Sequence, residues 1–250
     1  MGNKIRVTVW NEFLHEREDT GDTSWAYVKE AAEIYPNGIH NCIKDFLDKY
    51  DDLEVRTAAL TDPDQGLPDE VLNNTDVLLW WSHCGHHIVD DALVERIKNR
   101  VFDGGMGFIP MHSSHMSKPF RAIVGTSGKL LWGDEQHEII WNVLPAHPIT
   151  AGIPENIDLG TEEMYGEPFM IPQPDELLFV SWYEHGYVFR SGCTYYRGRG
   201  KVFYFQPGHE GCRSFHNEYV QKILYNGIKW AAPNDFGSPM HNCDYRMAIV

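Results

Sequence analysis

Within WWSHCGHHIVDD, residues 80–91, His83, Cys84, His86 and His87 crowd into five positions. A second pair, His112 and His115, lies in MHSSHMSKPF. Both stretches directly follow short apolar runs, DVLLWW and GMGFIPM. Neutral imidazole is a common ligand of zinc, manganese and iron, and several histidines with a carboxylate make an ordinary catalytic set. Where the backbone is helical, an H-x-x-H spacing lets two rings share a face. The alternative is that these rings bind substrate hydroxyls or orient loops by hydrogen bonds. One H-x-x-H is weak beside the helical H-E-x-x-H signature; two of them at strand ends weigh toward a divalent metal such as zinc or manganese.

Other strand-like runs end in the same way. NEFLHERED carries His15 and Glu16 behind IRVTVW, and His209 and Glu210 follow KVFYFQPG. TEEMYGEPFMIP adds Glu162, Glu163 and Glu167 beside Met164 and Tyr165, reading as an acidic loop from which one carboxylate could move a proton. Metal ligation is assigned to His83, His86 and His112. Glu163, Glu210 and His209 are the catalytic candidates, and His15, Trp81, His115 and Tyr165 the substrate contacts. Trp10, Trp80, Trp81 and Trp132 are candidate aromatic walls for a sugar ring, although most tryptophans are core residues. Ser113 lacks the G-x-S-x-G elbow and Cys84 follows a different strand, so an acyl-enzyme nucleophile is disfavoured. GMG in GGMGFIP precedes a strand instead of linking strand to helix, so no nucleotide cofactor is expected.

The elements that must position these groups alternate in the first half. IRVTVW, LEVRTAAL, DVLLWW and GMGFIPM are strand-like. Helical patterns separate them, including DDALVERIKNRVF, with Leu93, Val94, Ile97 and Val101 on one stripe. Such repeats imply an α/β fold with a mostly parallel, doubly wound sheet whose ligands bind beyond the carboxyl ends of the strands. The second half is richer in strands and ends in the helix HNEYVQKILYNGIKW. One domain over 1–233 and a C-terminal tail over 234–250 follow from the pattern. The net charge of -15 disfavours nucleic acid and anionic membrane surfaces as partners. No run approaches the roughly 20 apolar residues of a membrane helix, and no signal peptide is visible, so a cytoplasmic protein is expected. Five dispersed cysteines without C-x-x-C argue against a disulfide framework.

Taken together, WWSHCGHHIVDDALVERI, GGMGFIPMHSSHMSKPF, HPITAGI, EEMYGEPFMIP, PDELLFVSW, VFRSGCTYYRGRGKVFYFQPGHE and NGIKW resemble the ThuA-like (trehalose utilisation) family from about Ile5 to Pro233. The resemblance implies a flavodoxin-like fold akin to class I glutamine amidotransferases, whose triad is Cys-His-Glu with the cysteine on an elbow. Here the elbow-like position reads His112-Ser113, and His209 and Glu210 are adjacent, so glutaminase activity is not expected. The family association points to carbohydrate catabolism. The expected function is a metal-assisted enzyme acting on a disaccharide or keto-sugar derivative, with a possible homo-oligomeric state. The alternative is a non-catalytic sugar-binding protein or regulatory partner of a sugar oxidoreductase.

Overall fold

The computed structural model describes residues 4–233, so the expected C-terminal tail lies outside the described residues. Its strands are β1 (Ile5–Asn11), β2 (Leu53–Ala59), β3 (Val77–Trp81), β4 (Gly107–Met111), β5 (Leu131–Asn142), β6 (Asn156–Gly166), β7 (Glu176–Tyr183), β8 (Val188–Arg197) and β9 (Gly200–Phe205). The helices are α1 (Lys29–Ile34), α2 (Ile39–Leu47), α3 (Asp69–Asn73), α4 (Asp91–Phe102), α5 (Lys118–Val124) and α6 (Glu218–Ala231). All nine strands form one sheet in the order β2-β1-β3-β4-β9-β8-β7-β5-β6.

β2, β1, β3, β4 and β9 run parallel, with Val7 opposite both Val55 and Val77. The other four ladders are antiparallel, which corrects the expectation of a mostly parallel sheet. The physical reason is connection length. A parallel neighbour needs a crossover of a dozen or more residues, whereas β8 and β9 are joined by Gly198 and Arg199 alone. Gly198 has φ 58, the left-handed conformation that so tight a turn requires.

The apolar run of β3 is explained by burial on both faces. Val77, Leu79 and Trp81 join α2 and α6 in one core, through Ile43, Phe46, Ile223 and Leu224. Leu78 and Trp80 join α4 and α5 in the other, through Leu93, Ile97, Phe120 and Ile123. The stripe expected on α4 is the buried one: Leu93, Val94, Ile97 and Val101. Leu79→Ala should cost about 2–5 kcal/mol of unfolding free energy, since the rigid β3 interior cannot collapse around the cavity; a denaturant midpoint equal to that of the wild type would contradict this packing. Among the described residues, no helix is long and apolar enough to cross a membrane.

Two expectations need correction here. TEEMYG is the end of β6 instead of a solvated loop, and Glu162 is wholly buried. The aromatic walls reduce to one residue: Trp10 and Trp80 stack on each other at 3.6 Å inside the core, whereas Trp132 is 67% exposed.

Candidate active site at the strand ends

Loops at the carboxyl ends of β1, β3, β4 and β9 bring histidines from across the sequence into one cluster. Ring centroids separate His15 and His83 by 5.0 Å, His83 and His112 by 5.5 Å, and His83 and His209 by 5.6 Å. His83, His112, His209 and Glu210 each offer a ligand atom, and these atoms lie within 4.8 Å of one another. Glu210 is the hub. Its Oε2 is 2.8 Å from Nδ1 of His83, and its Oε1 lies 3.7 Å from Nδ1 of His15 and 3.5 Å from Nε2 of His209. Burial would push Glu210 up, but His83, His15 and His209 hold it well below the ordinary carboxylate range. Burial also acts against the proton on His83, yet its carboxylate partners prevail and raise it to about 9.

Three of these four turns, those after β3, β9 and β4, are tied down from behind. Glu12, wholly buried, accepts the backbone N–H groups of Cys84 at 2.8 Å and Gly85 at 2.9 Å. Glu162 accepts those of Gly208 at 2.9 Å and His209 at 3.0 Å, together with the Ser214 hydroxyl. Ser114 Oγ donates to the carbonyl of Trp80 and accepts from the N–H of Ser82, locking the turn after β4 to the end of β3. These positioning residues were missed in the sequence, where only the placement of Glu12 directly behind a strand hints at one of them.

His112 occupies the elbow-like position with φ 51, a strained left-handed conformation for a residue with a Cβ. Its Nδ1 faces the carbonyl of Gln206 at 3.2 Å, which places an N–H there and turns Nε2 toward the cluster. Glu163 Oε2 stands 3.1 Å from that Nε2, in ion-pair distance but outside hydrogen-bond geometry.

The other nominated residues fall into distinct places. His86 is outside the four-residue cluster: its Nδ1 meets Ser82 Oγ at 3.1 Å, and burial lowers it to about 4. His115 Nδ1 faces the Gly128 carbonyl at 2.6 Å, and burial lowers it to about 3. Trp81 is wholly buried and donates its indole N–H to the Gly208 carbonyl at 2.8 Å, so it props His15 and His83 edge-on instead of offering a face to a ligand. Ser113 Oγ is hydrogen-bonded to the Tyr165 hydroxyl at 2.6 Å. Burial and Glu12 push the Cys84 thiol up, and burial with Glu162 does the same to Cys212, which lies 3.9 Å from His209 Nδ1. Neither thiol is poised as a thiolate.

A cavity of about 300 Å³ opens beside the cluster, walled by His86, His115, Leu130, Trp132, Glu163 and Tyr165 among others. A second, of about 420 Å³, is bounded by Trp132, Gly133, Asp134, Glu135, Glu163 and His209. Trp132 and Glu163 belong to both, and neither lining includes a lysine or arginine. Gly128 fixes the outer wall. It has φ +68, and an added Cβ would stand 2.0 Å from the His115 carbonyl oxygen. Gly128→Ala should therefore cost at least about 1–3 kcal/mol and displace His115; an unchanged melting temperature would refute that constraint.

Fold and site together define a mixed α/β protein with a histidine–glutamate centre at its strand ends. Residues 6–231 match the family ThuA, trehalose utilisation, and the chain belongs to that family. Its fold is shared with a ThuA-like protein from Parabacteroides merdae (TM-score 0.65, 15% identity, covering 92% of this chain and 90% of that one). A cytoplasmic protein from Salmonella typhimurium is also similar (0.60, 13%, 92% and 100%). So is a glutamine amidotransferase from Thermotoga maritima (0.50, 10%, 91% and 97%). No curated protein matches the chain significantly.

Proposed function

We propose that this chain is a metal-assisted enzyme of carbohydrate utilisation, acting on an uncharged disaccharide or keto-sugar derivative from a flavodoxin-like framework. The observation that carries the proposal is the convergence of His83, His112, His209 and Glu210 from three strand ends within 4.8 Å. The donor set fits a divalent ion such as zinc or manganese, since three imidazoles and one carboxylate are ordinary ligands for both. Two buried polar atoms beside it, His15 Nε2 and Glu163 Oε2, have no hydrogen-bond partner among the described residues. A divalent ion held there supplies Lewis acidity toward a carbonyl or hydroxyl oxygen.

The chain's own residues divide the remaining work. Glu163, shared by both cavities, is placed to move a proton on a bound sugar. His86 and His115, held neutral by burial, can exchange hydrogen bonds with hydroxyls. Trp132 offers the apolar face of a sugar-binding platform. Asp134, Glu135 and Glu163 stand on the walls with no lysine or arginine to answer a phosphate, which disfavours phosphorylated substrates.

Removing metal with a chelator should abolish turnover of an uncharged disaccharide or its keto derivative, and zinc or manganese should restore it. The matching sugar phosphate should be a substrate at neither stage. Full turnover by metal-free protein would overturn the proposal.

A further inference from the structure

Through its second ring nitrogen, His15 joins a different set of donors. Its Nδ1 donates to the Ala26 carbonyl at 2.7 Å, and Glu210 Oε1 lies 3.7 Å from that same nitrogen. Nε2 is buried without a hydrogen-bond partner among the described residues, and stands 3.7 Å from Glu12 Oε1. That oxygen accepts the Cys84 thiol at 3.3 Å. Nε2, Sγ and a Glu12 carboxylate oxygen all fall within 4.8 Å of one another. Glu12 and His15 follow β1, whereas Cys84 lies on the turn after β3.

We propose that Glu12, His15 and Cys84 form a second cation site, for a divalent ion of the zinc class, which ties the turn after β1 to the turn after β3. The spacing fits. Bonds of ~2.0–2.3 Å to a tetrahedral zinc place neighbouring donors roughly 3.3–3.7 Å apart. The two edges that meet at Glu12 Oε1 measure 3.3 and 3.7 Å. Charge fits as well. Glu12 is wholly buried, and among the described residues its ion-pair neighbour is His15, with no lysine or arginine beside it. A buried carboxylate calls for a charged partner or a metal. The N–H groups of Cys84 and Gly85 supply it with dipoles but no charge. In the neutral ring, His15 Nε2 carries a lone pair that only a hydrogen-bond donor or a metal can use.

Binding replaces a proton with the ion. A zinc–sulfur bond forms as the Cys84 S–H proton leaves to solvent, and Glu12 and His15 complete three ligands with a fourth position open. Burial and Glu12 hold that proton on the sulfur, so this ion is retained less tightly than one in the proposed four-ligand centre. It is therefore read at equilibrium instead of after dialysis. Manganese prefers oxygen donors to a thiolate, so the two sites differ in selectivity. Cys84 directly follows His83, so an occupied clamp also steadies one imidazole of the cluster. The inference does not depend on an ion at that cluster.

The test is titration of the metal-stripped full chain with cobalt(II). The expected result is a near-ultraviolet thiolate-to-cobalt charge-transfer band. Cys84→Ser should abolish it. His15→Ala should weaken the cobalt binding that it reports by more than the roughly 10–100-fold that loss of an outer hydrogen-bond partner costs. His112→Ala should keep the band, which separates this site from the proposed catalytic one, and excess manganese should leave it in place. A wild-type protein without the band, or a band that survives Cys84→Ser, overturns the proposal. Loss of the band in His112→Ala, displacement by manganese, or unchanged cobalt affinity in His15→Ala would do the same. If Cys84→Ser does not fold, Cys212→Ser decides, because Cys212 lies with His209 and Glu135 in the other thiol-containing donor group among the described residues. A band that persists there supports Cys84, and its loss would place the thiolate at Cys212 and overturn the proposal.

Discussion

Glu163→Gln is expected to lower turnover by about 10²–10⁴-fold, the usual contribution of a positioned proton-transfer group, while changing sugar and metal affinity only a few-fold. Glu163 is the carboxylate that faces both cavities, and glutamine preserves its shape while removing its basicity. Burial opposes its charge, but His112, His83 and His209 outweigh burial and hold it below the ordinary carboxylate range. It is therefore ionised at neutral pH and suited to accept a proton. Because Glu163 contacts a proposed ligand, metal content must be measured on the same preparation. Normal metal content with undiminished turnover would exclude Glu163 as the base and shift the role to another group.

The second large effect is on stability. His40 and His115 are buried, and burial lowers them to about 4 and about 3. An unfolded chain takes up these protons near pH ~6.5, whereas the folded chain refuses them until much lower pH. Both states are neutral at these positions above that value, so the associated stability is intact there. As pH falls from ~6.5 toward ~4 the unfolded state binds more protons, and stability drops by on the order of 5 kcal/mol from the pair. Glu138 works in the opposite direction: its raised carboxyl penalises the fold at high pH, and that penalty shrinks as pH falls. The comparison is therefore made by difference. His115→Asn should flatten the pH dependence of the unfolding free energy between ~6.5 and ~4 relative to wild type. Identical slopes would mean that His115 is protonated in the folded protein.

The convergence of His15, His83, His112 and His209 was legible because each follows an apolar run, and parallel strands deliver their carboxyl ends to one edge. Their supports were not. Glu12 acts on a turn 72 residues away, at Cys84, and Glu162 on one 46 residues away, at Gly208, so nothing in local spacing marks either. In the fold, alternation of strand and helix anticipated the parallel half. The antiparallel half depends on pairing order, which hairpin-length connections restrict without specifying. TEEMYG was misread because its acids suggested solvent, while the strand buries Glu162 against backbone donors supplied by a distant loop. The tryptophans failed for the converse reason: aromatic character suits a sugar platform and a core equally, and three of the four nominated residues are wholly buried.

The proposed centre is tested most directly by elemental analysis of protein purified without a histidine tag and without added metal. The wild type should retain close to one zinc or manganese ion per chain after dialysis. His112→Ala and His209→Ala should each lose most of it, while their circular dichroism remains that of the wild type. A wild-type protein that retains no ion after loading with either metal and dialysis would contradict the proposal, and the four converging side chains would then be hydrogen-bond partners of a sugar in a binding protein.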